Sequence, residues 1–260
     1  MNFLDDVDFR IIGIAFFALL MIVGELAYQV GRRSKTLADD VARNVTGAIQ
    51  AAVLGLLGLL LAFTFGMAGQ RYDLRRMVQV DESNAIGTAY LRADVLPDAA
   101  AREVRRRLRQ YVDVRIDLHQ ASDEHQIREL RRSTEQLQTE LWNYAAEAAR
   151  NDPRSVPAGL FMQSLNEMID LYSTVTVAQA RVPTRILLLL MLVAAFGIAT
   201  LGHAFGLDRR RRLAGTLMLP ILVSAIVLVT LDLDRPQSGR IRVNLDSLYD
   251  LEKSMDPGSR

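Results

Sequence analysis

Four stretches of this chain are apolar enough and long enough to cross a lipid bilayer, and that fact removes most soluble folds from consideration. The hydrocarbon core is about 30 Å thick and a helix rises about 1.5 Å per residue, so about 20 mostly apolar residues make one crossing. The first stretch runs from Ile11 to about Val30 and carries one charge, Glu25. The second, about Gly47 to Gly69, carries none. The third spans about Ile186 to Leu207 with His203 as its ionisable group, and the fourth spans about Leu213 to Leu231 with Pro220 inside. Asp5, Asp6 and Asp8 precede the first stretch. A cleaved signal peptide begins with positive residues and has a shorter apolar run, so the first stretch is read as a permanent helix.

The rest of the chain divides around these crossings. Residues 1–69 hold the first two, 70–185 form a long polar insert, 186–231 hold the last two, and 232–260 form a polar tail. The insert carries 17 Arg against 17 Asp plus Glu, so it is too charged for lipid yet neutral overall. It is also periodic: Val104, Leu108, Tyr111 and Val112, then Ile127, Leu130, Leu137, Leu141 and Ala148, then Leu165, Met168, Ile169 and Tyr172 recur at helical spacings. Pro97, Pro153, Pro157 and Pro183 punctuate these runs, and Asp98 and Asp123 are placed as N-caps. No stretch alternates as a strand would. The expected fold is an all-α integral membrane protein with four transmembrane helices and a helical polar insert between the second and third. From Arg71 to Leu96 only Gly87 interrupts the helical pattern, so the second crossing should continue as one helix into the insert.

Small residues form a stripe on the second crossing. At 100° per residue, Gly47, Ala51, Gly55, Gly58, Ala62, Gly66 and Gly69 fall within a 100° arc, while Leu56, Leu60, Phe63 and Met67 lie on the far side. In lipid such residues let two backbones approach closely. The stripe therefore reads as a packing seam, and the alternative is that a bulky residue on another face, Phe63 for example, forms a hydrophobic constriction on a symmetry axis. The third crossing repeats the device with Ala195, Ala199, Gly202 and Gly206. His203 and Glu25 lie near crossing ends, where an ionisable side chain can reach the interface. Pro220 should kink the fourth helix.

Polar clusters flank the crossings: Arg71, Tyr72, Asp73, Arg75 and Arg76 after the second, and Asp232, Asp234, Arg235 and Pro236 after the fourth. The arginines suit lipid phosphates or the rim of a vestibule. Asp232 and Asp234 could join Glu82 or Glu167 around a hard cation, but nothing matches an EF-hand loop, and such residues more often form inter-helix ion pairs, with Arg235 holding Asp232 or an acid from another helix. Arg102, Arg105, Arg106, Arg107 and Arg109 share their stretch with Glu103, Asp113 and Asp117, which reads as a solvated, salt-bridged helix. His119 and His125 are badly spaced for a two-ligand metal site on one helix. There are no cysteines, hence no disulfide, thiolate site or thiol nucleophile. A net charge of +1 offers no general attraction to nucleic acid. With no phosphate loop, dinucleotide fingerprint, nucleophile elbow or HExxH, neither an enzyme nor a bound cofactor is expected.

The string LLAFTFGMAGQRYDLRR at Leu60 to Arg76, ESNAIGTAYL at Glu82 to Leu91, LNEMID at Leu165 to Asp170 and DLDRP at Asp232 to Pro236 together resemble the bacterial bestrophin-like transmembrane proteins. The onward resemblance to bestrophins implies a pentameric ion channel whose second helices line a hydrophobic neck, with Phe63 and Phe65 as the nearest neck candidates here. The acidic calcium clasp of the animal channels has no counterpart. The positive-inside rule puts the short loops, with Arg32, Arg33, Lys35, Arg43 and Arg209 to Arg212, in the cytoplasm. The resemblance implies the opposite orientation. The resulting expectation is a multi-pass protein of the bacterial inner membrane that meets lipid, permeant ions and further copies of itself. The rival class is a non-conducting scaffold or sensor acting through residues 70–185.

Overall fold

A computed structural model describes residues 9–33, 40–121, 123–179, 184–207, 214–234, 241 and 243–256. The described residues are helical throughout the regular elements: α1 (Phe9–Arg33), α2 (Asp40–Arg92), α3 (Asp98–Gln120), α4 (Glu124–Asn151), α5 (Val156–Ala178), α6 (Thr184–Leu207), α7 (Leu219–Leu233) and α8 (Asp246–Ser254). Four candidate spans, Ile11–Arg33, Gly47–Val95, Arg185–Leu207 and Thr216–Leu233, are long and apolar enough to cross a membrane. The second crossing does continue into the insert, since α2 is one helix of 53 residues.

The chain forms two compact units, and α2 contributes to both. In the membrane unit, Phe16 and Leu20 of α1, Leu57 and Leu61 of α2, Leu190, Ala194 and Ile198 of α6, and Val223, Val227 and Leu231 of α7 make one buried cluster. The closest packing is between α1 and α6. A methyl group added at Gly202 would run into the carbonyl oxygen of Gly24 and lie 3.3 Å from the Ala27 Cβ. One added at Gly206 would run into the Tyr28 carbonyl oxygen and lie 3.0 Å from the Gly31 Cα. The seam expected at Gly202 and Gly206 thus has α1 as its partner, through Gly24 and Gly31 one heptad apart. Ala195 packs against the buried cluster and Ala199 is half-buried.

The fourth crossing is irregular next to the proline expected to kink it. Residues Ala214–Met218 form a π-helical turn that runs directly into α7, and Pro220 is the second residue after it.

The second unit is a bundle built on α2, α3, α4, α5 and α8. Its core holds Ala85, Ile86, Ala89 and Ala93, Val104, Leu108, Tyr111 and Val112, Leu137 and Leu141, Phe161, Leu165 and Met168, with Leu248 and Met255 from the C-terminal segment. Each fully buried Leu contributes on the order of 2 kcal/mol by leaving water. Asp123 caps α4, its carboxylate accepting the Gln126 N–H at 2.9 Å. Asp98 is no cap: it is the first helical residue of α3, behind Pro97, where its charge favours the positive end of the helix dipole. The arginine-rich face of α3 is salt-bridged as expected: Glu103 takes Arg106 and Arg107, Arg107 also meets Glu140, and Arg105 meets Asp94. These guanidinium hydrogen bonds hold the Glu103 carboxyl down to about 2.

The stretch expected to be a polar tail carries α8, which docks in this unit. Gln79 donates to the Asn244 carbonyl at 3.2 Å, Ser83 to that of Ser247 at 2.7 Å, and Tyr90 to that of Met255 at 3.1 Å. Arg109 donates to the same Met255 carbonyl at 3.0 Å, and Leu248 is fully buried.

Candidate functional site

α2 is the helix on which the candidate functional residues converge, and it is unevenly covered. In the membrane unit its buried stripe is Leu57, Leu61, Thr64 and Ala68. These recur at spacings of four and three, so they occupy one narrow face. Thr64 satisfies its hydroxyl locally by donating to the Leu60 carbonyl at 2.7 Å. The glycine stripe lies elsewhere: a methyl group added at Gly47, Gly55, Gly58, Gly66 or Gly69 would meet nothing within 4 Å. Where Gly202 and Gly206 of α6 pack on α1, the stripe glycines of α2 have no neighbour within that distance among the described residues.

Phe63 is 66% exposed and Phe65 44% exposed. They point apart, as residues two positions apart on a helix must. Phe65 lines an apolar groove of about 720 Å³ between α2 and α7, with Gly58, Ala62, Leu222 and Ile226 among its walls. Phe63 is not part of that groove.

In the second unit the core of the site is an ion pair. Glu82 of α2 and Arg115 of α3 are 0% and 1% exposed and meet in a two-pronged contact, Nε to Oε1 at 2.6 Å and Nη2 to Oε2 at 3.1 Å. The guanidinium carbon sits 4.8 Å from the centroid of the Tyr172 ring on α5. Gln138 of α4 donates to the Tyr111 hydroxyl at 3.1 Å, and that hydroxyl feels the charges of Glu82 and Arg115. Burial opposes the Arg115 charge, but the facing Glu82 carboxylate outweighs it and raises the guanidinium further. Burial, with the Glu82 charge nearby, raises the Tyr111 hydroxyl well beyond its ordinary range. The His119 ring, desolvated and facing Arg115, is lowered, and its Nδ1 sits 2.8 Å from the Arg115 carbonyl.

Glu82 is therefore a core residue tied to Arg115. Glu167 stands apart from it, exposed on α5 in a polar groove of about 630 Å³ between α2 and α5. Asp81, Asn84 and Thr88 form one wall, and Gln163, Asn166, Glu167, Asp170 and Thr174 the other, with no basic side chain in the lining. Asn166 donates to Asp170 at 3.0 Å. Among the described residues no three His, Asp or Glu side chains gather in a way that could hold a metal ion.

The boundary cluster is distributed over several elements. Asp73 is exposed, Arg71 half-buried and Arg75 buried on α2. At the end of α7, Asp232 and Asp234 are 6% and 4% exposed, and Asp232 accepts the Ile241 N–H at 3.3 Å. Arg235 lies outside the described residues. Motifs in the sequence do not point to Arg115, Gln138, Gly24 or Gly31, and Tyr172 is marked only as part of an apolar helical face. Arg115 does carry a signal, since it continues the apolar face of Val104, Leu108, Tyr111 and Val112.

Residues 15–248 match a protein family described as the Bestrophin-like domain. No curated protein sequence matches the chain. Among solved structures, a point variant of a bacterial bestrophin homologue from Klebsiella pneumoniae superposes with a TM-score of 0.66 at 14% identity, covering 94% of this chain and 97% of that one. The homologue phased by zinc anomalous scattering gives 0.62 at 16% identity, with 95% and 97% covered. A third, described as a membrane protein, gives 0.64 at 16% identity, with 92% and 97% covered. At such identities the likeness is one of fold.

Proposed function

Because the chain belongs to the Bestrophin-like family, we propose that it forms an ion-conducting homo-oligomer in the bacterial inner membrane, a pentamer by the resemblance to bestrophins, with copies of α2 around the passage. The observation that carries this reading is the open face of α2. A membrane helix rich in glycine loses stability unless another backbone comes close enough to use the space. On α6 that backbone is α1. On α2 it would be a second copy of the chain.

Phe63 is the preferred constriction residue, because it is exposed and clear of the α2–α7 groove, whereas Phe65 has Leu222 and Ile226 across that groove. An apolar ring at a narrow point gates ions by excluding water. Asp81, Asn84 and Thr88, at spacings of three and four on α2, would line the aqueous approach. The reading requires no bound cofactor and no catalytic step.

The test is ion flux into liposomes containing purified protein whose oligomeric state has been verified. Flux above protein-free background that rises when Phe63 is replaced by Ala supports the reading. Background flux from a verified oligomer would overturn it and favour a scaffold acting through residues 70–185, to be pursued by identifying what that region binds.

A further inference from the structure

The part of α2 that lies in the bundle core has little shape to hold it in place. Its fully buried apolar contribution there is Ala85, Ile86, Ala89 and Ala93, one large side chain among three methyl groups, with Tyr90 packed partly buried at the edge. Apolar burial is non-directional, so a smooth face of this kind tolerates rotation or a slip along the axis. Hydrogen bonds from Gln79, Ser83 and Tyr90 tie this part of α2 to the C-terminal segment, and toward α3 its fully buried directional contact is the two-pronged charged pair of Glu82 and Arg115. It is closed on its far side by the Tyr172 ring. A planar guanidinium matches a carboxylate in one orientation only, which a lysine ammonium cannot reproduce. Buried ion pairs rarely add net stability over apolar residues of equal volume, and their best-supported role is to select one register.

We infer that the Glu82–Arg115 pair is a positioning device that fixes the axial and rotational register of α2, and with it the residues α2 presents to the ion passage. The link to conduction rests on the function proposed above; the link to register does not. Removing one partner would strand a buried charge and damage the fold, so the informative variant removes both, as E82L/R115M. Because the chain contains no cysteine, spin labels can be placed at N84C on α2 and R132C on α4, both exposed positions of the same unit, and their separation measured by pulsed electron resonance in liposomes.

Labelled chains diluted with excess unlabelled parent chains, so that the within-chain pair dominates, should give one narrow distance in the parent protein. The E82L/R115M variant should keep the parent's melting temperature to within a few degrees while its distance distribution broadens or splits, and its ion flux should change several-fold in either direction. A narrow, unmoved distance in the double variant would overturn the inference, whether or not the melting temperature falls. Should the double variant not fold, R115K decides: it keeps the charge but not the fork, so a broadened distance supports the positioning role and an unchanged one refutes it. If the parent protein shows no flux at all, the channel reading fails while the distance measurement still tests the register.

Discussion

Gly202 offers a quantitative test of how the membrane unit is held together. Gly202→Ala adds one methyl group whose position overlaps the carbonyl oxygen of Gly24 and approaches the Ala27 Cβ to 3.3 Å. The obstructing oxygen is backbone inside a helix and cannot swing aside, so α1 and α6 must separate. Separation also undoes the approach at Gly206, where a methyl group would stand only 3.0 Å from the Gly31 Cα. Overpacking of a tight interior costs about 1–3 kcal/mol, and a collision with backbone belongs at the upper end. Alanine's better helix propensity returns up to about 1 kcal/mol, leaving a net loss of roughly 2 kcal/mol. For a chain of this size that is a fall of about 4–8 °C in melting temperature. Gly58→Ala is the control, since its methyl group meets nothing within 4 Å in the chain. The assay is thermal unfolding in one detergent followed by intrinsic fluorescence, with oligomeric mass measured on the same samples. Gly202→Ala should melt lower at unchanged mass. Gly58→Ala should leave unfolding nearly unchanged and reduce the oligomeric mass. A Gly202→Ala protein as stable as its parent would refute the seam.

Three further outcomes are expected of the second unit. His119 is lowered in the folded state; as pH falls below about 6.5 the unfolded chain therefore takes up a proton that the folded chain resists, and stability drops with falling pH. Unfolding scans across that range should show a shallower acid-side loss in His119→Gln, and an unchanged profile would contradict the assignment. Leu248, fully buried in the docked C-terminal segment, should cost about 2–5 kcal/mol of local stability as Leu248→Ala; limited proteolysis should then cut within residues 243–256 before the rest of the bundle, whereas an unchanged digestion pattern would argue against docking. Neutralising the groove acids as D81N/E167Q/D170N should shift the reversal potential in a salt gradient toward anions, because a surface lined by one sign of charge concentrates the opposite ion. An unmoved reversal potential would take the groove off the ion path.

The crossings are legible in the sequence because lipid imposes a length and polarity rule that needs no knowledge of neighbours. Gly202 and Gly206 are legible for the same reason, but their partner is not: nothing local says that Gly24 and Gly31 lie opposite, since helix pairing is decided across the whole unit. Glu82 illustrates the opposite difficulty. By position it groups with Asp232 and Asp234 near the bilayer, yet its partner is Arg115, 33 residues away on another helix. The clue is an arginine at a position where the face of α3 is otherwise apolar, and a charge there demands a buried partner. Asp98 has the composition of a cap but not the position, because Pro97 takes the cap place itself, its fixed φ already suited to a helix start. Pro220 marks an irregular place in the fourth crossing, but the π-helical turn just before it leaves no mark in hydrophobic periodicity.

The channel reading is tested most directly by single cysteines along α2, introduced into a chain that has none of its own. Each variant, from Leu56 to Gln70, is reconstituted and its ion flux measured before and after a water-soluble thiol reagent. Block should peak at Phe63 and recur at Leu59, Gly66 and Gln70, four, three and seven residues away, and should spare the buried positions Leu57, Leu61, Thr64 and Ala68. Block confined to the buried stripe, or no blockable flux at any position in a verified oligomer, would contradict an ion passage lined by α2.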